Sequence, residues 1–232
     1  MLPYAGFVAR PAGGARDRSI DYIETAWVDV TGTYEAYWQS RGKNLRQNLS
    51  KQRRRLETEG VKLSLEEICE PQAVVRGLAA YGALESAGWK SANGTAISPD
   101  NAQGRFYRAM LESFCARGAG RIYLYRFDDR IVAVDLCIEE GATQVILKTT
   151  YDETNKAVSP AFLMRQDTFE RTWAANRITQ IEFYGKRMEW HTRWTDAVRV
   201  LYHYNAYRWD WIAKWHAKRL AAPAENPNLA TV

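Results

Sequence analysis

Cysteine, histidine and long apolar runs are all scarce in this 232-residue chain. The cysteines, Cys69, Cys115 and Cys137, are odd in number and widely spaced, which argues against a disulfide framework and against a zinc finger. His191, His203 and His216 stand at least 12 residues apart, so no two share a helical turn and no metal site is expected. No apolar stretch approaches the roughly 18 residues of a membrane span. The first residues lack the apolar core of a secretory signal, so a reducing cytoplasm is the expected setting. There is no GxSxG, no P-loop and no strand-linked GxGxxG, which leaves hydrolase, NTPase and dinucleotide-binding readings without support. What is present is a balanced globular composition. Hydrophobic residues at 46% and charged residues at 25% exclude wholesale disorder, collagen and coiled coil. Lys+Arg number 32 against 27 Asp+Glu, a modest net charge of +5. Aromatics are in excess, with 9 Trp, 13 Tyr and 7 Phe, and Trp190, Trp194, Trp209, Trp211 and Trp215 crowd the end of the chain.

Residues 1–19 read as a flexible arm and 221–232 as a flexible tail, leaving a single domain over 20–220. Period-two alternation predicts strands at 21–29 and 61–68. Between them Thr33–Glu59 reads as one long helix if unbroken. Pro71 opens a helix to about Gly88, and another is expected near Arg105–Arg117. Strands at 121–127, 130–140 and 143–152 follow, and the short joints Asp128-Asp129 and Gly141-Ala142 make them an antiparallel meander. A helix from Ser159-Pro160 to about Asn176 precedes a strand at 177–183. An irregular stretch, a strand at 198–205 and a helix at 207–220 complete the order. A crossover helix of that length implies that the strands at 143–150 and 178–184 run parallel. The fold class is therefore α+β, with one parallel pair inside antiparallel pairing.

Three stretches carry chemistry. Residues 40–56 hold Arg41, Lys43, Arg46, Lys51, Arg53, Arg54 and Arg55 with no acid, over a stripe of Leu45, Leu49 and Leu56. This is either a solvated face or a landing site for an anionic partner such as tRNA, an acidic carrier protein or a phosphate-bearing donor. No Gly-aromatic motif of the RNA-recognition type accompanies it. In KTTYDETNKAVSPAFLM (148–164), Ser159 as cap and Pro160 at the first helical position leave backbone N–H groups available to phosphate. In IEFYGKRMEWHTRWTD (181–196), Glu182 at a strand end or His191 could accept a proton from an amine. The plainer alternatives are Glu182 paired with an arginine and His191 hydrogen-bonded inside an aromatic cluster. Tyr184, Trp190 and Trp194 suit a substrate wall.

With these segments in place, residues 20–210 resemble the GNAT acyltransferases, and more specifically their CelD-type, FemAB-related branch. The resemblance rests on LRQNLSKQRRRLETEG (45–60), LESAGWK (84–90), FYRAML (106–111), RIVAVDL (130–136), LKTTYDETNKAVSPAFLM (147–164) and IEFYGKRMEWHTRW (181–194). It implies a GNAT-like mixed, mostly antiparallel sheet, its one parallel pair splayed around a donor site and helices on both faces. It also implies acyl transfer from acyl-CoA or an acyl-carrier protein, as co-substrate rather than bound prosthetic group, to an amine, an amino acid or a peptide side chain. Donor phosphates would fall to Val158, Ser159, Pro160, Ala161 and Phe162. Lys148 and Tyr151 would line the cleft, Glu182 would be the family's acidic residue, and Tyr151 or Tyr184 could protonate the leaving thiolate. Glu85, Trp89 and Lys90 would meet substrate. Two departures stand out: KAVSPA replaces the usual Arg/Gln-Gly donor motif, and Trp190-His191 precedes Trp194 where relatives carry Tyr-Lys. Related proteins often have a second GNAT-like half, so either one domain suffices or the chain pairs as a homodimer. The competing readings are an aminoacyl-tRNA-dependent transferase and a catalytically silent binding module on the same scaffold.

Overall fold

A computed structural model describes residues 14–87, 97–98 and 101–221. The chain divides into two compact units. One comprises residues 25–199; the other combines the described residues up to Glu24 with those from Val200 onward.

The strands among the described residues are β1 (Asp17–Asp29), β2 (Leu63–Ile68), β3 (Gly120–Phe127), β4 (Arg130–Glu140), β5 (Thr143–Tyr151), β6 (Gln180–Phe183) and β7 (Val198–Ala206). In the larger unit the order is β2-β3-β4-β5-β6-β1, and β7 is the other neighbour of β1. Every pairing in the larger unit is antiparallel except β5 with β6. The meander β3-β4-β5 turns on two-residue joints, and each joint opens with a positive φ, 53° at Asp128 and 58° at Gly141. The mixed α+β sheet with one parallel pair is thus present as the spacing implies.

The α-helices among the described residues are α1 (Tyr34–Ser40), α2 (Lys43–Thr58), α3 (Val74–Ala87), α4 (Ala102–Ala116), α5 (Pro160–Ala175) and α6 (Asp210–Ala221). The single helix expected over 33–59 is two. Arg41 is extended (φ −75°, ψ 156°) and Gly42 caps α2, so the chain turns between them. The Thr33 hydroxyl caps α1 by accepting from the Ala36 N–H at 3.1 Å, and Asn101 caps α4 through the Gly104 N–H at 2.7 Å.

Two apolar clusters cover the two faces of the sheet. Leu45, Leu49 and Leu56 of α2 join Leu163, Met164, Phe169 and Trp173 of α5 over Ile146, Ile181 and Phe183. On the other face Leu78 and Tyr81 of α3 and Tyr107 and Leu111 of α4 pack on Ile122, Leu124, Val134 and Leu136. The second helix is also tied to α5 by polar groups. The Arg53 guanidinium bonds Asp167 and donates to Gln166 Oε1 at 3.1 Å, while the Tyr125 hydroxyl donates to Asp167 at 2.7 Å.

Candidate active site at the open edge of the parallel pair

β5 and β6 pair at four positions only, ending with Ile146 opposite Phe183 and a last bond from the Tyr184 N–H to the Ile146 carbonyl at 2.9 Å. There β6 stops, while β5 runs on to Tyr151 against β4. Along Leu147–Tyr151 the edge of β5 that faced β6 has no strand partner among the described residues. A bulge sits at the start of this open edge. Leu136 pairs with Lys148 and Cys137 with Ile146, so Leu147 is an extra residue on β5. A bulge re-aims the side chains that follow it. Lys148 is sent to the α4 face, with its Nζ 5.4 Å from the Tyr107 ring centroid, and Thr149 is sent to the α5 face.

On the α5 face the open edge borders a cavity of about 360 Å³. It is lined by Thr149, Tyr151, Lys156, Ser159, Ala161, Phe162, Arg165, Trp190 and Trp194. Its floor is a closed polar group inside the core. Arg165 reaches Asp135 at 2.5 and 3.2 Å and Thr149 Oγ at 2.8 Å, and the Thr149 hydroxyl donates to Asp135 at 2.6 Å. Arg165 and Asp135 are almost wholly buried, so each charge depends on the other. Trp194, 1% exposed, is the aromatic wall. It packs on Phe162 and Phe169, and its carbonyl accepts from the Tyr37 hydroxyl and from Arg41 at 2.9 and 2.8 Å.

The start of α5 differs in detail from the phosphate cradle expected there. Ser159 holds a left-handed conformation (φ 48°, ψ 58°), and its hydroxyl makes no cap bond but accepts from Gln52 of α2 at 3.2 Å. Its N–H donates to the Lys156 carbonyl, Pro160 has no N–H, and the Phe162 N–H is drawn to the Ser159 carbonyl at 2.9 Å. Across Ser159–Phe162, Ala161 therefore offers the amide available to an anion, and the exposed Lys156 lines the same cavity.

Of the site residues expected from sequence, Tyr151, Ser159, Ala161, Phe162, Trp190 and Trp194 meet at this cavity. Val158 and Pro160 are buried behind it. Glu182 lies elsewhere. Ile181 and Phe183 enter the core under α5, so strand alternation turns Glu182 to the other face, where it is buried and ion-paired with Arg199. His191 is also buried, stacked on Trp190 with ring centroids 3.6 Å apart. Its Nδ1 accepts the Met188 N–H at 2.8 Å, which puts the ring proton on Nε2. Burial, with Arg165 and Arg187 adding to it, pulls its pKa down to about 4, so the imidazole is neutral near pH 7. Tyr184 is exposed on the chain leaving β6. Glu85 is buried on α3, where it accepts from the Tyr81 hydroxyl at 3.2 Å and the Ile97 N–H at 2.8 Å. Trp89 and Lys90 lie outside the described residues. Asp135, Thr149, Lys156 and Arg165 went unnoticed in the sequence. The one available signal was Asp135 itself, a carboxylate at an inward position of the apolar run RIVAVDLCI.

The two parallel strands and the crossover helix between them lie within the stretch that the family comparison matches. The model of the acetyltransferase (GNAT) domain covers residues 43–192. The chain belongs to this family. It carries a GNAT-type acyltransferase domain, and the mixed sheet is the fold of that domain. No curated protein matches the chain by sequence. Among solved structures it is similar to FemX, with a TM-score of 0.57 at 8% identity over 81% of this chain and 60% of that one. It is also similar to the C-terminal domain (DUF2156) of an Agrobacterium fabrum chain assigned as a lysylphosphatidylglycerol synthetase. That match has a TM-score of 0.56 at 14% identity, over 88% of this chain and 66% of the other. L-PGS from Bacillus licheniformis gives 0.52 at 14%, over 88% and 67%. These are likenesses of fold, and the chain spans about three-fifths to two-thirds of the length of each. Among the described residues no helix is long and apolar enough to cross a membrane.

Proposed function

We propose that the protein is an N-acyltransferase that moves an acyl group from a thioester donor, acyl-CoA or an acyl-carrier protein, to an amine. The observation that carries this reading is the open edge of β5 beside the aromatic cavity. The N–H and C=O groups of a strand edge suit the amides of a pantetheine arm, which would lie along β5 as a surrogate strand. A backbone N–H of that edge would polarise the thioester carbonyl. The acyl chain would enter the cavity of Tyr151, Ala161, Phe162, Trp190 and Trp194. The amine nitrogen would attack the carbonyl carbon, the C–S bond would break, and the thiolate would leave with a proton. Among the described residues the cavity lining holds no cysteine or carboxylate to act as nucleophile, which favours direct attack in a ternary complex. His191 is a weak base in this setting because its Nδ1 already accepts a hydrogen bond. Glu182 would have to give up its ion pair with Arg199, on the other face of the sheet, to take the amine proton.

The test is turnover and thermal stabilisation with acetyl-, octanoyl- and palmitoyl-CoA and with the matching carrier-protein thioesters. Stabilisation should depend on acyl length. Ala161→Phe, which fills the cavity, should shift the preference toward shorter chains while acetyl turnover survives. Glu182→Gln should lose turnover and keep donor-induced stabilisation. A flat response to every donor would overturn the reading. The basic face of α2, which meets α5 at Ser159, favours an anionic macromolecular donor over free CoA. An aminoacyl-tRNA donor is told apart by RNase, which would abolish activity with tRNA and leave thioester turnover intact.

A further inference from the structure

The acyl cavity accounts for Trp190 and Trp194 but leaves the terminal tryptophans unexplained. The last helix is 12 residues long and its tryptophans point outward, Trp211 66% and Trp215 56% exposed, with Trp209 just before it 48% exposed. At 100° per residue, Trp211, Lys214, Trp215, Lys218 and Arg219 fall within about 140° of arc, and all are exposed. That face carries no acid. The helix's one carboxylate, Asp210, is engaged by Arg16 at 2.5 Å. His216 is turned away and bonds the Tyr207 hydroxyl. Arg219 lies 5.3 Å from the Trp215 ring and Arg208 4.9 Å from that of Trp209, so the cations border the rings.

Leaving indoles in water is costly, and here they are interleaved with cations, the composition of a helix lying in a bilayer interface. Indole rings settle at headgroup depth and lysine and arginine meet lipid phosphates. A second copy of the same face would set three cations against three, so self-pairing is disfavoured by charge. At 12 residues the helix is too short to span a bilayer. We infer that α6 is an interfacial docking surface for an anionic phospholipid membrane, bound through Trp211 and Trp215 with Lys214, Lys218 and Arg219.

The test uses the full chain with phosphatidylcholine vesicles, with and without phosphatidylglycerol. The expected result is co-flotation with the anionic vesicles, weakened by salt, and a blue shift of tryptophan emission. Trp211→Ala/Trp215→Ala should lose about tenfold or more in partitioning. Lys214→Glu/Lys218→Glu should abolish the preference for anionic lipid, each variant keeping the parent's far-UV circular dichroism. No flotation, flotation equal with both vesicles, or flotation undiminished in the variants would overturn the inference. So would a concentration-dependent dimer that Trp211→Ala/Trp215→Ala dissolves. None of these readouts requires acyl transfer, so the inference stands or falls apart from the proposed reaction.

Discussion

His191 shows how one buried ring couples stability to pH. Its Nδ1 is committed to the Met188 N–H, its faces are covered by Trp190 and Phe183, and Arg165 and Arg187 add positive charge nearby. Burial and the two arginines oppose protonation, the Met188 carbonyl 3.2 Å from Nδ1 favours it, and the folded pKa falls to about 4, against about 6.5 in an unfolded chain. Between those values the unfolded state binds the extra proton, so stability rises with pH there. The contribution is complete above about pH 6.5 and is lost as pH falls through the window to 4, up to about 3 kcal/mol in all. His191→Asn keeps an acceptor for the Met188 N–H and removes the titrating group. Urea unfolding between about pH 7 and 4.5 should therefore show a flatter pH dependence in the variant than in the parent. Equal slopes would remove His191 from this role.

At the scale of elements, close approach decides more than propensity does. A Cβ on Gly82 of α3 would stand 2.4 Å from the Ile97 carbonyl oxygen, and a backbone oxygen cannot swing aside as a side chain can. Gly82→Ala should cost about 1–3 kcal/mol by overpacking and loosen the bond from the Ile97 N–H to Glu85, as a lowered Tm would show. Gly42→Ala, with nothing within 4 Å, should escape overpacking and cost only the weaker N-cap, about 0.5–1 kcal/mol. An unchanged Tm for Gly82→Ala would sink the argument. Local pattern revealed the elements that depend on local pattern. The meander was legible from alternation and from Asp128-Asp129 and Gly141-Ala142, and the parallel pair from the length of the crossover helix. The break at Arg41-Gly42 had one mark in the sequence, Gly42 itself, and a single glycine does not by itself end a helix. The bulge at Leu147 left no mark in the sequence, since ILKTT reads as ordinary strand, yet it decides which face Lys148 and Thr149 take. The buried pair was illegible for another reason: Asp135 and Arg165 are 30 residues apart and meet only when α5 crosses the sheet.

The larger unit places two features side by side, an acyl-sized cavity and a helix face of one sign. The outer side of α2 forms a groove of Arg46, Gln47, Ser50, Lys51 and Arg54, while Arg53 and Arg55 are paired to Asp167 and Glu59. Gln52 of the same helix touches Ser159 at the cavity, so an anionic body on α2 would be near enough to thread a flexible thioester arm inward. Free CoA has less to gain from that face, since its phosphates would sit by Ala161 and Lys156. Lys51→Glu/Arg54→Glu should therefore raise KM for a carrier-protein donor by about tenfold at low ionic strength and leave kcat unchanged. With acyl-CoA the change should stay within about twofold. Added salt should narrow the gap between parent and variant, because exposed charges are screened over about 10 Å at 0.1 M. Initial rates with both donors across a salt series read this directly. An equal rise in KM for the two donors would assign the face to the phosphates of CoA itself. No rise for either would reduce α2 to a solvated surface, and the donor would then be recognised by the cavity and the open strand alone.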